Sequence, residues 1–243
     1  MGSGATIAGD SSGSSGSSST VLDNPVGLTF DKNGFMYVAD SQNNRVQRFP
    51  RNSLTGTTVA GQAGTSSTAL NSLRRPFGID VDDDLNVYVA DSDNQRVVKW
   101  VPNATSGILL IDRNIIGKPY GILLAPNSTN QVYLSDESRN SVYLWTFSAS
   151  NPDLTLRSVN DSIGTLGRPR GMIYDSYNNL YVADAGRSLI VRYCVNSTIG
   201  DIVVSGSSST PVLSTPSAIA FDSNFNLYVA DENTNQVVKY ARI

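Results

Sequence analysis

The chain has 243 residues, of which 16% are charged and 40% hydrophobic; its formal net charge is −3, and it contains one cysteine, Cys194, and no histidine. A sequence without histidine cannot build a Ser-His-Asp triad, a His-ligated zinc or a histidine general base, and a single cysteine cannot build a disulfide framework. No apolar run approaches the ~20 residues that span a bilayer, and a slightly acidic chain is poorly suited to phosphate-driven nucleic-acid binding.

Residues 1–4, Met-Gly-Ser-Gly, read as an expression scar, with nothing resembling a signal peptide after them. Ala-Thr-Ile-Ala-Gly at residues 5–9 has strand character, and the stretch from Asp10 to Thr20 is almost pure Gly and Ser, which by composition alone is a linker. Short strands are then predicted at Val26 to Phe30, Phe35 to Asp40, Arg45 to Phe49 and Gly56 to Gly61, separated by Gly- and Asn-rich turns. Helix-period patterns of useful length are absent.

The same pattern recurs five times. It begins at a proline (Pro25, Pro76, Pro119, Pro169, Pro216) and contains an aspartate that closes a Tyr-x-x-Asp strand (Asp40, Asp91, Asp136, Asp184, Asp231). A period of about 48 residues made of four short strands is the signature of a propeller blade. The expected blade cores are 24–62, 75–112, 118–159, 168–206 and 215–243 plus 5–10. The fifth copy stops after its third strand, and Ala5-Thr-Ile-Ala-Gly9 matches Thr57-Thr-Val-Ala-Gly61. The expectation is therefore an all-β, five-bladed β-propeller spanning 5–243, with residues 5–9 closing the last blade and the Gly/Ser run serving as an inter-blade loop. A closed ring predicts a monomer; the alternative is part of a longer, six-bladed array.

Pro-x-Gly-hydrophobic, then Leu-Tyr-Val-Ala-Asp, then Asn-x-Arg-Val, resembles the NHL repeat, and the resemblance covers nearly the whole chain. Family members include RNA binders, extracellular sensor domains and a zinc-dependent amidating lyase; the lyase uses histidine ligands, which this sequence lacks. Propellers of similar shape include calcium-dependent lactonases, so the resemblance also implies a lactonase-like hydrolase as an alternative, and an RNA-binding domain as another.

Five tyrosines (Tyr37, Tyr88, Tyr133, Tyr181, Tyr228) stand three residues before the blade aspartates and share a strand face with the residue two positions on, so they are expected between blades. The aspartates are expected to accept from the turns that follow them. Gly27, Gly78, Gly121 and Gly171 allow close approach near the axis, with Ala218 in the fifth copy. Between proline and glycine lies a varying residue: Val26, Phe77, Tyr120, Arg170 and Ser217. Freed from the fold, these five residues, with Arg75, Lys118 and Arg168 beside them, are the candidate ligand-binding residues at one mouth of the central channel. Asp82, Asp83 and Asp84 have the oxygen ligands calcium takes but not the regular spacing, and read as a solvated turn. No cofactor, metal or catalytic residue is expected. The reading is a non-catalytic binding propeller for a protein, peptide or glycan, with no nucleic-acid partner and no membrane span. Four Asn-x-Ser/Thr sequons (Asn103, Asn127, Asn160, Asn196) match what chance supplies in so Ser/Thr-rich a chain, so Asn/Ser/Thr-rich turns and low lysine lean only weakly toward an exported protein. Cys194 is expected to be buried.

Overall fold

The structure is a computed structural model; it describes residues 5–126, 128–206, 209 and 211–241. The scar at residues 1–4 and the sequon head Asn127 lie outside the described residues. Apart from one 3-10 turn at Ser92–Asn94, every element is a β-strand. No described helix is long and apolar enough to cross a membrane.

Five sheets follow one another along the chain. The first contains β1 (Pro25–Phe30), β2 (Met36–Asp40), β3 (Arg45–Phe49) and β4 (Thr57–Gly61); the second contains β5 (Pro76–Val81), β6 (Val87–Asp91), β7 (Arg96–Trp100) and β8 (Ile108–Ile111). The third contains β9 (Pro119–Leu124), β10 (Gln131–Asp136), β11 (Ser141–Thr146) and β12 (Leu154–Leu156). The fourth has five strands: β13 (Ser158–Val159), β14 (Pro169–Tyr174), β15 (Leu180–Asp184), β16 (Leu189–Tyr193) and β17 (Ile199–Ser205), with β13 added in parallel to the outer edge of β17. The fifth contains β18 (Pro216–Phe221), β19 (Leu227–Asp231) and β20 (Gln236–Tyr240). Each sheet is otherwise an antiparallel meander, as its short turns require. The chain packs as two units, one ending at Pro119 and the other beginning at Tyr120.

In the first unit, Tyr37 and Ala39 on one face of β2 pack against Val87 and Val89 of β6, with Leu73 and Ala60 filling the outer part of the layer. In the second, Tyr181 and Ala183 of β15 meet Leu227 and Val229 of β19 in the same way. The two-residue period of the strand thus gives each sheet two apolar faces, as blades between neighbours need. The glycines permit this approach. A Cβ on Gly27 would lie 2.3 Å from the Phe77 carbonyl oxygen, and one on Gly121 would lie 2.5 Å from that of Arg170.

Two expectations are corrected. Residues 5–9 form no strand, and the fifth sheet has three strands among the described residues. Ala8 instead packs with Leu22 against Met36, Val38 and Phe49 of the first sheet, and this apolar burial holds the segment there. Its Gly/Ser continuation is held by the first blade: Asn43 donates to the Gly16 carbonyl, and Arg45 donates to those of Ser18 and Val21. Asn94 and Arg96 treat Ser67, Thr68, Ala69 and Ser72 in the same way one blade later. Cys194, expected in the core, is exposed because β16 ends at Tyr193, one residue before it.

Candidate functional site

The blade aspartates organise the loops around the candidate site, and they do so differently from expectation. Asp40 accepts from the backbone N–H of Asp23, Asp91 from Arg74, Asp184 from Gly167 and Arg168, and Asp231 from Ser214 and Thr215. Each therefore pins the loop leading into its own blade, 16 or 17 residues upstream, rather than only the turn that follows. Asp136 does accept from the following turn, at the N–H groups of Ser138 and Arg139. In the first two blades an arginine completes the arrangement, with Arg45 Nε on Asp40 and Arg96 Nε on Asp91, both at 2.7 Å. The loops that lead into blades one, two, four and five are thus held from beneath by buried aspartates.

In the first unit, Phe77 at the start of β5 is buried, and two cations cover its ring: Arg75 at 5.8 Å and Lys118 at 5.2 Å from the centroid. Attraction of a cation to the ring face accounts for the arrangement. Arg75 sits at φ +47°, donates its N–H to the Asn44 side chain at 2.9 Å and directs its guanidinium toward Asp93. Val26 on β1 is half-buried.

The second unit contains a more connected cluster. Arg170, read from the sequence as freed from the fold, is 8% exposed and engaged by neighbouring side chains. Its Nε donates to Glu137 Oε1 at 3.0 Å, another guanidinium nitrogen donates to Glu232, and the group lies 5.0 Å from the centroid of Tyr120. Arg168 donates to the same Glu137 oxygen at 2.6 Å. Burial by itself would raise the Glu137 pKa, but hydrogen bonds and charge from Arg168 and Arg170 outweigh it and hold the carboxyl below the ordinary glutamate range. Burial likewise disfavours charge on Arg170, yet Glu232, Tyr120 and Glu137 together push its pKa up. The result is a chain of alternating charge, Arg168, Glu137, Arg170, Glu232. Its inner members are buried; its ends are not, with the Arg168 side chain 52% and the Glu232 side chain 60% exposed. Ser217, half-buried on β18, donates to the Ala230 carbonyl.

Of the eight candidate residues, the structure brings together Arg75, Phe77 and Lys118 in one unit, and Tyr120, Arg168 and Arg170 in the other. Glu137 and Glu232, which are not among the candidate residues, join the second set. The signal was present: each directly follows its blade aspartate, where the other copies have Ser41, Ser92 and Ala185. The acidic turns are structural. Asp82 accepts from the backbone of Asp84 and Asn86 through one oxygen and from Tyr88 and the Asn86 side chain through the other. Among the described residues no group of three or more His, Cys, Asp or Glu side chains is placed to hold a metal ion.

The NHL repeat profile matches residues 22–49 and 73–100, the first three strands of blades one and two. No curated protein matches the sequence. Among solved structures, a chain from a nidogen/laminin complex superposes with a TM-score of 0.70 at 22% identity, covering 90% of this chain and 76% of that one. A streptogramin B lyase gives 0.63 at 13% identity over 91% of this chain and 70% of the other. A catalytically inactive histidine-to-alanine variant of virginiamycin B lyase from Staphylococcus aureus, with quinupristin, gives 0.61 at 13% identity over 89% and 69%. At these identities the likeness establishes the β-propeller fold, and within that fold the first two blades each carry a match to the NHL repeat.

Proposed function

We propose that this chain is a non-catalytic recognition module whose second unit binds a protein partner through the face bearing Arg168, Tyr120, Arg170, Ser217 and Glu232. The observation that carries this reading is the alternating charge chain with buried inner members and exposed ends. A charge already fixed by buried partners loses little conformational freedom on binding. Opposed exposed charges select a complementary pattern and reject mismatched ones, and charge complementarity of this kind tunes specificity and encounter rate. Near-balanced charge suits a protein surface better than a polyanion, which rewards uniform positive charge. The patch of Arg75 and Lys118 over Phe77, with Val26, is in our reading a second, more cationic contact in the first unit. The nidogen/laminin neighbour comes from a protein–protein complex, which agrees with a protein partner.

The lyase neighbours favour catalysis less than their fold suggests. One is described as inactive after replacement of a histidine, and this chain has no histidine. The test is a protein-domain array probed with the wild-type chain and with the double charge reversal Arg168→Glu, Glu232→Arg. Partners captured by the wild type should be lost with the variant, and their capture should weaken as salt rises. Equal capture by both would refute the proposed face; turnover of quinupristin would refute the non-catalytic reading.

A further inference from the structure

A repeat protein contains its own controls, because the same location recurs in each blade with different side chains. At the blade tyrosine, two partners recur at the end of the blade that carries the Asp-rich turns. The tyrosine hydroxyl donates to an aspartate at the end of the first strand: Tyr37 to Asp31, Tyr88 to Asp82 and Tyr228 to Asp222. A long cation from the third strand lies nearby, with Lys99 5.3 Å from the ring centroid of Tyr88, Lys239 at the same distance from that of Tyr228, and Arg48 over Phe35 beside Tyr37. In the fourth blade Asp175 and Arg192 occupy these positions around Tyr181.

The third blade lacks both partners. Ala125 stands where the aspartate belongs, and Leu144 where the cation belongs. Tyr133 is only half-buried, and its hydroxyl has no hydrogen-bond partner among the described residues. The space left is a cleft of about 320 Å³ walled by Tyr133, Leu144, Leu154, Leu156 and Tyr193, with Tyr174 meeting Tyr133 edge-to-face at 5.9 Å. The equivalent location between the first two blades, at Tyr37, Arg48, Val59 and Trp100, encloses about 60 Å³. No charged side chain lines the larger cleft; Gln131, Asn178, Asn196 and Ser197 add polar groups to its lining.

From this we infer that the cleft between blades three and four binds an uncharged small molecule with a ring-bearing apolar body and one hydrogen-bond acceptor, which takes the Tyr133 hydroxyl. Its size is at the lower end of small-molecule sites, and apolar and aromatic side chains accompanied by uncharged polar groups are their usual make-up. Burial raises the Tyr133 pKa, so the phenol stays neutral and available as a donor at physiological pH. The inference is independent of the protein-binding face, which rests on other residues at the opposite ends of these strands.

The test uses Prodan, an uncharged naphthyl ketone whose emission shifts to the blue in an apolar site. Wild type should bind it saturably with a blue shift, and bound Prodan should slow maleimide modification of Cys194, which borders the cleft and is the only cysteine. Leu144→Arg restores the side-chain type found at Arg48 and Arg192; it should weaken Prodan binding at least tenfold while the melting temperature stays within a few degrees. Tyr133→Phe removes only the donor and should weaken binding about three- to tenfold, the range for one net hydrogen bond. Absence of a saturable blue shift with wild type, or unchanged affinity in Tyr133→Phe, overturns the inference. If Leu144→Arg does not fold, Tyr133→Phe and Cys194 protection decide it.

Discussion

The strongest energetic prediction concerns Asp91. Its carboxylate is fully buried and accepts from the Arg74 N–H at 2.7 Å, the Asn94 side chain at 2.9 Å and Arg96 Nε at 2.7 Å. The other Arg96 nitrogens are occupied by the carbonyls of Thr68, Ala69 and Ser72 at 2.6, 3.0 and 2.9 Å. Asp91→Ala would therefore leave a buried guanidinium hydrogen-bonded but uncompensated in charge, which costs about 3–5 kcal/mol. The orphaned Arg74 N–H belongs to the same network, so its cost is part of that figure and not an addition. Urea unfolding can be read at Trp100, which lies in the core of this unit, once Trp145 of the other unit is replaced by Phe. With a slope of about 2 kcal/mol per molar, the midpoint should fall by about 1.5–2.5 M. Asp91→Asn keeps the shape without the charge and should fall between. A shift below about 0.5 M would refute the idea that buried charge holds the inter-blade loop.

Three further predictions follow from the same structure. Glu137 is held below its ordinary pKa, so its contribution to stability is complete above the ordinary glutamate value and is lost as pH falls through the lower folded value; Glu137→Gln should flatten that part of the acid unfolding curve. Gly121→Ala places a Cβ 2.5 Å from the Arg170 carbonyl oxygen and 2.9 Å from Ser135 Oγ and should cost about 1–3 kcal/mol by thermal melting, whereas Ala218→Gly at the equivalent position of the fifth blade should change little more than backbone entropy, roughly 0.5–1 kcal/mol. Val237 is 71% exposed where its counterpart Val97 is wholly buried; Val237→Lys should stay within about 0.5 kcal/mol of wild type in a denaturation curve, while Val97→Lys should unfold its unit, burying an unpaired charge.

Legibility followed the range of the interactions. All four strands of the first copy were readable to within one residue, because alternation, a proline at one end and an aspartate within the copy are all local. Outer strands of the later copies were less so. β12 has three residues, and β13 is an added parallel strand; such strands have one neighbour and little periodic constraint. The aspartates were recognised as structural, but their main partners lie about 17 residues back, beyond what turn chemistry considers. Arg170 looked free for the same reason, since Glu137 and Glu232 are 33 and 62 residues distant and come from other blades. The N-terminal strand match was real as sequence, yet Ala8 found its burial on Met36, Val38 and Phe49 without β-pairing.

Departures from the repeat are of two kinds, and the difference separates structure from function. Arg45 and Arg96 begin the third strand in the first two blades, but Ser141 and Leu189 begin it in the next two. Those losses are compensated. Arg157 reaches across from the outer edge of blade three to donate to Ser141 Oγ at 2.9 Å, and Arg187, two residues before Leu189, donates to the Thr165 carbonyl of the incoming loop as Arg96 does to Thr68. A fold that loses a buried donor finds another, because an unsatisfied loop carbonyl costs about 1–3 kcal/mol. Ala125 and Leu144 are different: two partners of Tyr133 are gone together, no hydrogen bond or cation among the described residues replaces them, and a cleft stands in their place. A compensated departure preserves the blade. An uncompensated one gives up a hydrogen bond and packing that the other blades keep, which favours a ligand as the missing partner and makes blade three the place to seek it.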